Sequence, residues 1–187
     1  RDAIAVLTLN RPAARNALSE ALIAALADEL DAIAADRAVR AVIIDAAPCS
    51  CFSAGHDLKE MTARRGDADR GRAYYEDLMA RCAAMMQRIV ALPQPVIAAV
   101  ETLATAAGCQ LVSACDLAVA SQDMRFCTPG VNIGTFCTTP LVGIGRNMHR
   151  KHAMEMALTG DLLPAEDALR FGLVNQVVQP ESLVQET

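Results

Sequence analysis

Apolar side chains recur along this chain in two rhythms, one of period two and one of three and four, and the rhythms alternate. Ala3 to Leu9 alternates and is rich in branched residues, which predicts a strand ended by Asn10-Arg11-Pro12. Ser19 is suited to cap a helix whose apolar positions are Leu22, Ile23, Leu26, Leu30 and Ile33. Val42 to Asp45 is short and apolar, which predicts a strand buried on both faces of a sheet. The polar stretch from Thr62 to Arg72 predicts a mobile loop. Tyr74, Leu78, Cys82, Met85, Met86 and Ile89 then mark one face of a long helix stopped by Pro93 and Pro95.

Further along, Val96 to Val100 predicts a second buried strand and Ala106 to Ala114 a small-residue helix. Leu117 to Ala120 and Arg125 to Cys127 predict short strands. Arg150 to Leu158 and Pro164 to Phe171 predict helices, with Gly172 placed to end the second. Val174 to Val178 predicts a last strand before Pro180. Strands alternating with helices imply an α/β fold with largely parallel pairing. No internal repeat or linker interrupts the pattern, so residues 1–187 are expected to form one domain.

Composition narrows this picture. With 53% hydrophobic but only 3% aromatic residues, the core must be built from Ala, Val, Leu, Ile and Met. A net charge of −5 without any Lys/Arg run argues against nucleic acid as a partner. No apolar run is long enough to span a bilayer, and no signal peptide is evident, so no membrane association is expected. The chain opens on Arg1, which points to a native N-terminus further upstream. Seven cysteines without a repeated Cys-x-x-Cys read as small buried hydrophobes in a reducing compartment, hence a soluble cytoplasmic protein. Cys49 and Cys51 lack the partners of a zinc site. His149 and His152 read as a solvated helix start, and Gly143-Ile144-Gly145 lacks the third glycine and preceding strand of a dinucleotide loop.

Two segments carry candidate chemistry. Ser53-Ala54-Gly55-His56-Asp57 follows a strand and precedes a helical pattern, and Ala106-Ala107-Gly108 repeats that design. Small residues let a ligand approach the backbone, and amides at a helix start carry partial positive charge. Two such groups facing one point would hold a developing oxyanion, often a large catalytic contribution. Taken singly, each segment is also what close helix–sheet packing requires. His56 titrates near neutrality; it is either a working side chain or a supplier of its backbone amide with the ring turned outward. Asp57 and Asp116 read as braces of local backbone, and Asn132 as the holder of its own turn.

As a set, these segments resemble the enoyl-CoA hydratase/isomerase (crotonase) family. The resemblance rests on Phe52 to Glu60 (Phe-Ser-Ala-Gly-His-Asp-Leu-Lys-Glu) and Leu103 to Asp116 (Leu-Ala-Thr-Ala-Ala-Gly-Cys-Gln-Leu-Val-Ser-Ala-Cys-Asp). It extends through Arg11-Pro12, Arg15-Asn16-Ala17-Leu18, Pro95 to Val100, Leu158-Thr159-Gly160, and Ala165, Ala168 and Gly172-Leu173-Val174. It implies a repeated ββα superhelix with largely parallel sheets, a homotrimer or hexamer, and a coenzyme A thioester as substrate or ligand, with no metal or redox cofactor. The backbone amides of His56 and Ala107 would form the oxyanion hole. Arg15, Ala54, Asp57, Leu58 and Gly108 would lie around the thioester and its coenzyme A. Family members are generally longer at the C-terminus, so the domain is expected to lack their terminal helical region.

The resemblance breaks where the family's hydratases carry two glutamates, at Gln110 and Gly130. Paired carboxylates supply general acid–base help of about 10²–10⁴-fold, whereas Gln110 can orient a water but not accept its proton. The family's methylmalonyl-CoA decarboxylase branch has a similar Ser-Ala-Gly-His-Asp loop and a Val-Glu like Val100-Glu101, but carries a tyrosine in the region of Thr135-Phe136-Cys137-Thr138. By the resemblance Cys137 lies near the acyl end, as a nucleophile or as packing. Three readings follow: an acyl-CoA hydratase/isomerase-like enzyme with atypical catalytic residues, a non-catalytic acyl-CoA binder or regulatory protein, and a decarboxylase-like enzyme using His56.

Overall fold

The computed structural model describes residues 3–187. Nine strands are found among them: β1 (Ile4–Leu9), β2 (Ala41–Ala46), β3 (Cys51–Ser53), β4 (Val96–Val100), β5 (Leu103–Thr105), β6 (Leu117–Ser121), β7 (Arg125–Cys127), β8 (Leu163–Pro164) and β9 (Gln176–Val178). They form a wholly parallel sheet in the order β1-β2-β4-β6-β9 and a second in the order β3-β5-β7-β8, antiparallel only at β7–β8. Each successive pair, β2/β3, β4/β5 and β6/β7, gives one strand to each sheet before the chain turns into helix. That is the ββα superhelix, and it brings the C-terminal ends of β3, β5 and β7 side by side.

The helices are α1 (Glu20–Ala35), α2 (Leu58–Ala63), α3 (Arg72–Ala91), α4 (Ala107–Ala114), α5 (Thr138–Asn147), α6 (Arg150–Thr159), α7 (Ala165–Phe171) and α8 (Leu183–Glu186). Ser19 caps α1, its Oγ accepting from the Leu22 amide at 3.2 Å. Ile23, Leu26, Leu30 and Ile33 of α1 and Leu78, Cys82, Met85, Met86 and Ile89 of α3 are buried, as their spacing predicts. They share one core with Val42, Ile44, Phe52, Val96, Ala98, Leu111 and Phe126.

Several expectations are corrected. β2 is not buried on both faces: Val42 and Ile44 are inside, but Ile43 is only half-buried. Its outer face meets a cavity of about 620 Å³ lined by Val6, Ile43, Phe52, Ala99, Leu183 and Val184. The stretch from Thr62 to Arg72 is not an open loop. It holds the end of α2 and a 3-10 turn, Arg64–Gly66, and Asp69 accepts from the amides of Gly71 and Ala73, both at 2.9 Å. The last strand starts at Gln176 instead of Val174, because Leu173 and Val174 turn into the core. His149 is exposed at the start of α6, as expected, while the half-buried His152 ring also stacks on Phe171 at 3.5 Å.

Candidate active site

Gly55 brings the two candidate loops together. Its φ of +79° is open to glycine at little cost, and a β-carbon there would lie 3.1 Å from the Ala107 nitrogen and 3.0 Å from Cβ of Ala106. The loop after β3 therefore presses on the first residue of α4. Leu18 pairs with His56 in a single parallel bridge: the Leu18 amide donates to the Gly55 carbonyl at 2.8 Å, and the Asp57 amide to the Leu18 carbonyl at 3.1 Å. Successive peptide groups of an extended chain point to opposite edges, so the His56 N–H faces away from Leu18. Among the described residues, neither the His56 nor the Ala107 amide donates to a backbone carbonyl. Both amides are therefore free to donate to another group.

Ala106 holds the turn that aims the second amide. It adopts φ 51°, ψ −117°, a left-handed conformation that strains an L side chain. Such a residue costs about 1–3 kcal/mol, and glycine's own entropy returns about half to one of these. Ala106→Gly is accordingly expected to raise stability by about 1 kcal/mol, read as a higher urea midpoint; an unchanged or lower midpoint contradicts the strain.

The segment before α1 clamps the first loop. Arg11 donates to the Ala17 carbonyl at 2.7 Å and pairs with Asp57 at 3.0 Å. Burial pushes the Asp57 carboxyl up, but Arg11 and the amides of Lys59 and Glu60 outweigh it and hold it below its ordinary range. Asp57 also caps α2, and Asp116 accepts from the Val96 amide at 2.8 Å, so both brace backbone. The Ala54 amide donates to the Arg15 carbonyl at 3.1 Å, while the Arg15 side chain is exposed beside this loop. Leu58 is exposed at the start of α2. Asn16 is fully buried within the clamp; only its place in the Arg-Asn-Ala-Leu segment hinted at that role.

The remaining side chains define what chemistry is at hand. Gln110, one turn into α4, is 9% exposed, and its Oε1 is buried with no partner among the described residues. Gly130 follows β7 in a 3-10 turn, Pro129–Ile133, and is buried. A β-carbon on it would meet Cys137 Sγ at 3.0 Å and Thr135 Cγ2 at 3.2 Å. The His56 ring is not turned outward: Nε2 is buried without a partner, and burial lowers its pKa, which keeps the ring neutral at pH 7. Asn132 is exposed on the same turn. Among the described residues no three His, Cys, Asp or Glu side chains cluster to hold a metal ion.

Two largely parallel sheets, each fed one strand by every successive strand pair, are the features of the crotonase fold. The family model for enoyl-CoA hydratase/isomerase matches residues 1–187, and the chain belongs to that family. It is 49% identical over 181 residues to enoyl-CoA hydratase domain-containing protein 3, mitochondrial, of Xenopus laevis, covering 97% of this chain and 60% of that protein. The solved structure of a Mycobacterium smegmatis enoyl-CoA hydratase matches with TM-score 0.92 and 53% identity, over 98% of this chain and 69% of that one. That of human enoyl-CoA hydratase domain-containing protein 3 matches with TM-score 0.93 and 43% identity, over 100% and 71%. The chain thus spans about 60% of the length of the curated relatives it resembles.

One expectation is overturned here. The relatives from frog, mouse, rat and human are all named mitochondrial, against the cytoplasmic reading. The seven free cysteines carried that reading, and free thiols persist in any reducing compartment, so they could not separate the two.

Proposed function

We propose that this chain binds a coenzyme A thioester with its carbonyl oxygen between the amides of His56 and Ala107, and acts as an acyl-CoA enzyme of the hydratase/isomerase kind. The observation that carries the reading is the pair of free amides on touching loops. Both develop their full effect only when negative charge forms on the oxygen, so they stabilise an enolate more than the ground-state thioester. Gln110 orients water or substrate through its unpartnered Oε1. Ala54, Asp57, Leu58 and Gly108 shape the walls, and exposed Arg15 meets the phosphates of coenzyme A. The setting is mitochondrial, as in the named relatives, and the assembly a trimer or hexamer of single-domain subunits.

No Asp or Glu occurs at positions 51–56, 103–110 or 125–138. That favours a reaction other than efficient hydration, or a second reading in which thioester is bound without turnover. A decarboxylase-like role for His56 would draw on a neutral hydrogen-bonding ring, not on a positive charge. The deciding experiment combines calorimetric titration of crotonyl-CoA with loss of its enoyl absorbance, for wild type and Gln110→Glu. Residue 130 is unsuited to a first restoration, because a side chain there runs into Cys137. Saturable binding with weak wild-type hydration, raised at least about tenfold by the new carboxylate, is expected. Lack of binding removes the oxyanion site from the proposal, and fast wild-type hydration removes the argument from missing carboxylates.

A further inference from the structure

Helix α2 starts two residues after His56, and nothing inside it accounts for where it sits. It has six residues, none of them buried, and isolated helices shorter than about 12–15 residues are marginal in water. Groups outside α2 therefore set its position. Glu60 Oε2 accepts from the Glu20 amide at 2.9 Å, one of the first-turn donors that α1 leaves without an intrahelical partner. Tyr75 Oη, on α3, donates to the Met61 carbonyl at 2.7 Å. The guanidinium of Arg64, the C-cap of α2, lies 5.1 Å over the Tyr74 ring.

The connector that follows is fitted to the same place. Tyr74 and Tyr75 are the chain's only tyrosines, and their rings meet edge to face at 5.7 Å. A β-carbon on Gly71 would lie 3.1 Å from Tyr75 Cε2 and 2.9 Å from the Arg64 carbonyl oxygen, so the turn into α3 closes directly on the end of α2 and on the Tyr75 ring. We propose that Tyr75 and Glu60 are positioning residues of the thioester site, a latch that ties α2 to α3 and α1 and fixes the wall that Asp57 and Leu58 give to a bound acyl-CoA. This rests on the thioester reading above.

Neither side chain needs to touch the ligand, because the backbone carries the effect. Asp57 is both the N-cap of α2 and the residue after His56, so a shift of the helix is passed straight into the loop. Arg11 and the Leu18 bridge hold that loop from the side of the segment before α1. The latch holds the other end, beyond Leu58, whose exposed side chain gives the first turn of α2 no anchor in the core. With one of the two hydrogen bonds gone, α2 opens more often, and the wall opens with it.

The test compares wild type with Tyr75→Phe, Glu60→Ala and Glu60→Gln. Phenylalanine removes the hydroxyl and keeps the ring, and glutamine keeps an acceptor for the Glu20 amide. Amide hydrogen exchange is read over residues 58–63 and over β2 and β4 without ligand, and butyryl-CoA dissociation by stopped flow. Exchange at 58–63 and dissociation are each expected to rise about two- to tenfold in Tyr75→Phe and Glu60→Ala, the net worth of one hydrogen bond, with Glu60→Gln within about twofold of wild type. Exchange in β2 and β4 stays at the wild-type rate. Wild-type exchange at 58–63 in both variants overturns the latch, whatever the ligand does. Faster exchange there with unchanged dissociation overturns the positioning role and leaves the thioester site standing. Faster exchange in β2 and β4 as well makes the two residues structural and also overturns the role. Failure of wild type to bind butyryl-CoA removes the thioester reading and the positioning role with it.

Discussion

Gly108→Ala is expected to lower stability by about 3 kcal/mol, toward the upper end for overpacking, and to weaken butyryl-CoA binding at least tenfold. The added β-carbon would lie 2.5 Å from the Ser53 carbonyl oxygen and 2.9 Å from Cβ of Ser53. Ser53 is buried in β3, so the contact cannot be relieved by swinging a flexible side chain aside; helix α4 and strand β3 must move apart. That separation carries the Ala107 amide away from the His56 loop, and with it the paired thioester contact proposed above. Gly145→Ala is the matched control, since a β-carbon there meets nothing within 4 Å on helix α5. It should gain up to about 1 kcal/mol of helix propensity and leave binding unchanged. Urea denaturation and calorimetric titration of the two variants separate the cases. Normal stability and affinity in Gly108→Ala would mean that the two loops are not held in register by this contact.

How much of this was legible beforehand follows from the length of each element. Helices α1 and α3 each repeat an apolar position four or five times, and their buried faces coincide with the predicted ones. Strands β3 and β5 have three residues each, too few for any periodicity, and both lie directly before the candidate loops. Those loops were found through glycine, alanine and histidine in order, which is a record of backbone chemistry and not of side-chain patterning. Helix α5 went unseen because Thr138-Thr139-Pro140 opens it and Gly143 and Gly145 interrupt it. Proline is tolerated in a first helical turn, where the amide has no intrahelical partner, and Gly143 lets α5 close on Ser113 of α4. The exchange of space between Gly130 and Cys137, seven residues apart, belongs to tertiary structure alone.

Asn16→Ala should destabilise the chain by about 3 kcal/mol and loosen the same site from the opposite side. Its side chain is fully buried and serves three backbone segments at once. Oδ1 accepts from the Arg11 amide at 2.9 Å, and Nδ2 donates to the carbonyls of Ala47 and Cys51, each at 3.0 Å. Removing it strands the Arg11 amide and the Ala47 carbonyl, while the Cys51 carbonyl keeps only the Cys49 thiol at 3.0 Å, and each unsatisfied buried group costs about 1–3 kcal/mol before partial rescue by water. Asn16 also has φ 49°, a left-handed conformation that asparagine accepts more readily than alanine. Asn16→Gly loses the same hydrogen bonds without that backbone penalty, so it should be about 1 kcal/mol more stable than Asn16→Ala. Function follows from the chain's next residues. The Arg15 carbonyl and both polar groups of the Leu18 backbone hold residues 54–57 in place, so a slack clamp lets the His56 amide drift. Thioester affinity measured below the unfolding transition should therefore fall in both variants. Equal stability of the alanine and glycine variants would remove the backbone contribution, and wild-type affinity in both would show that the clamp does not hold the His56 loop.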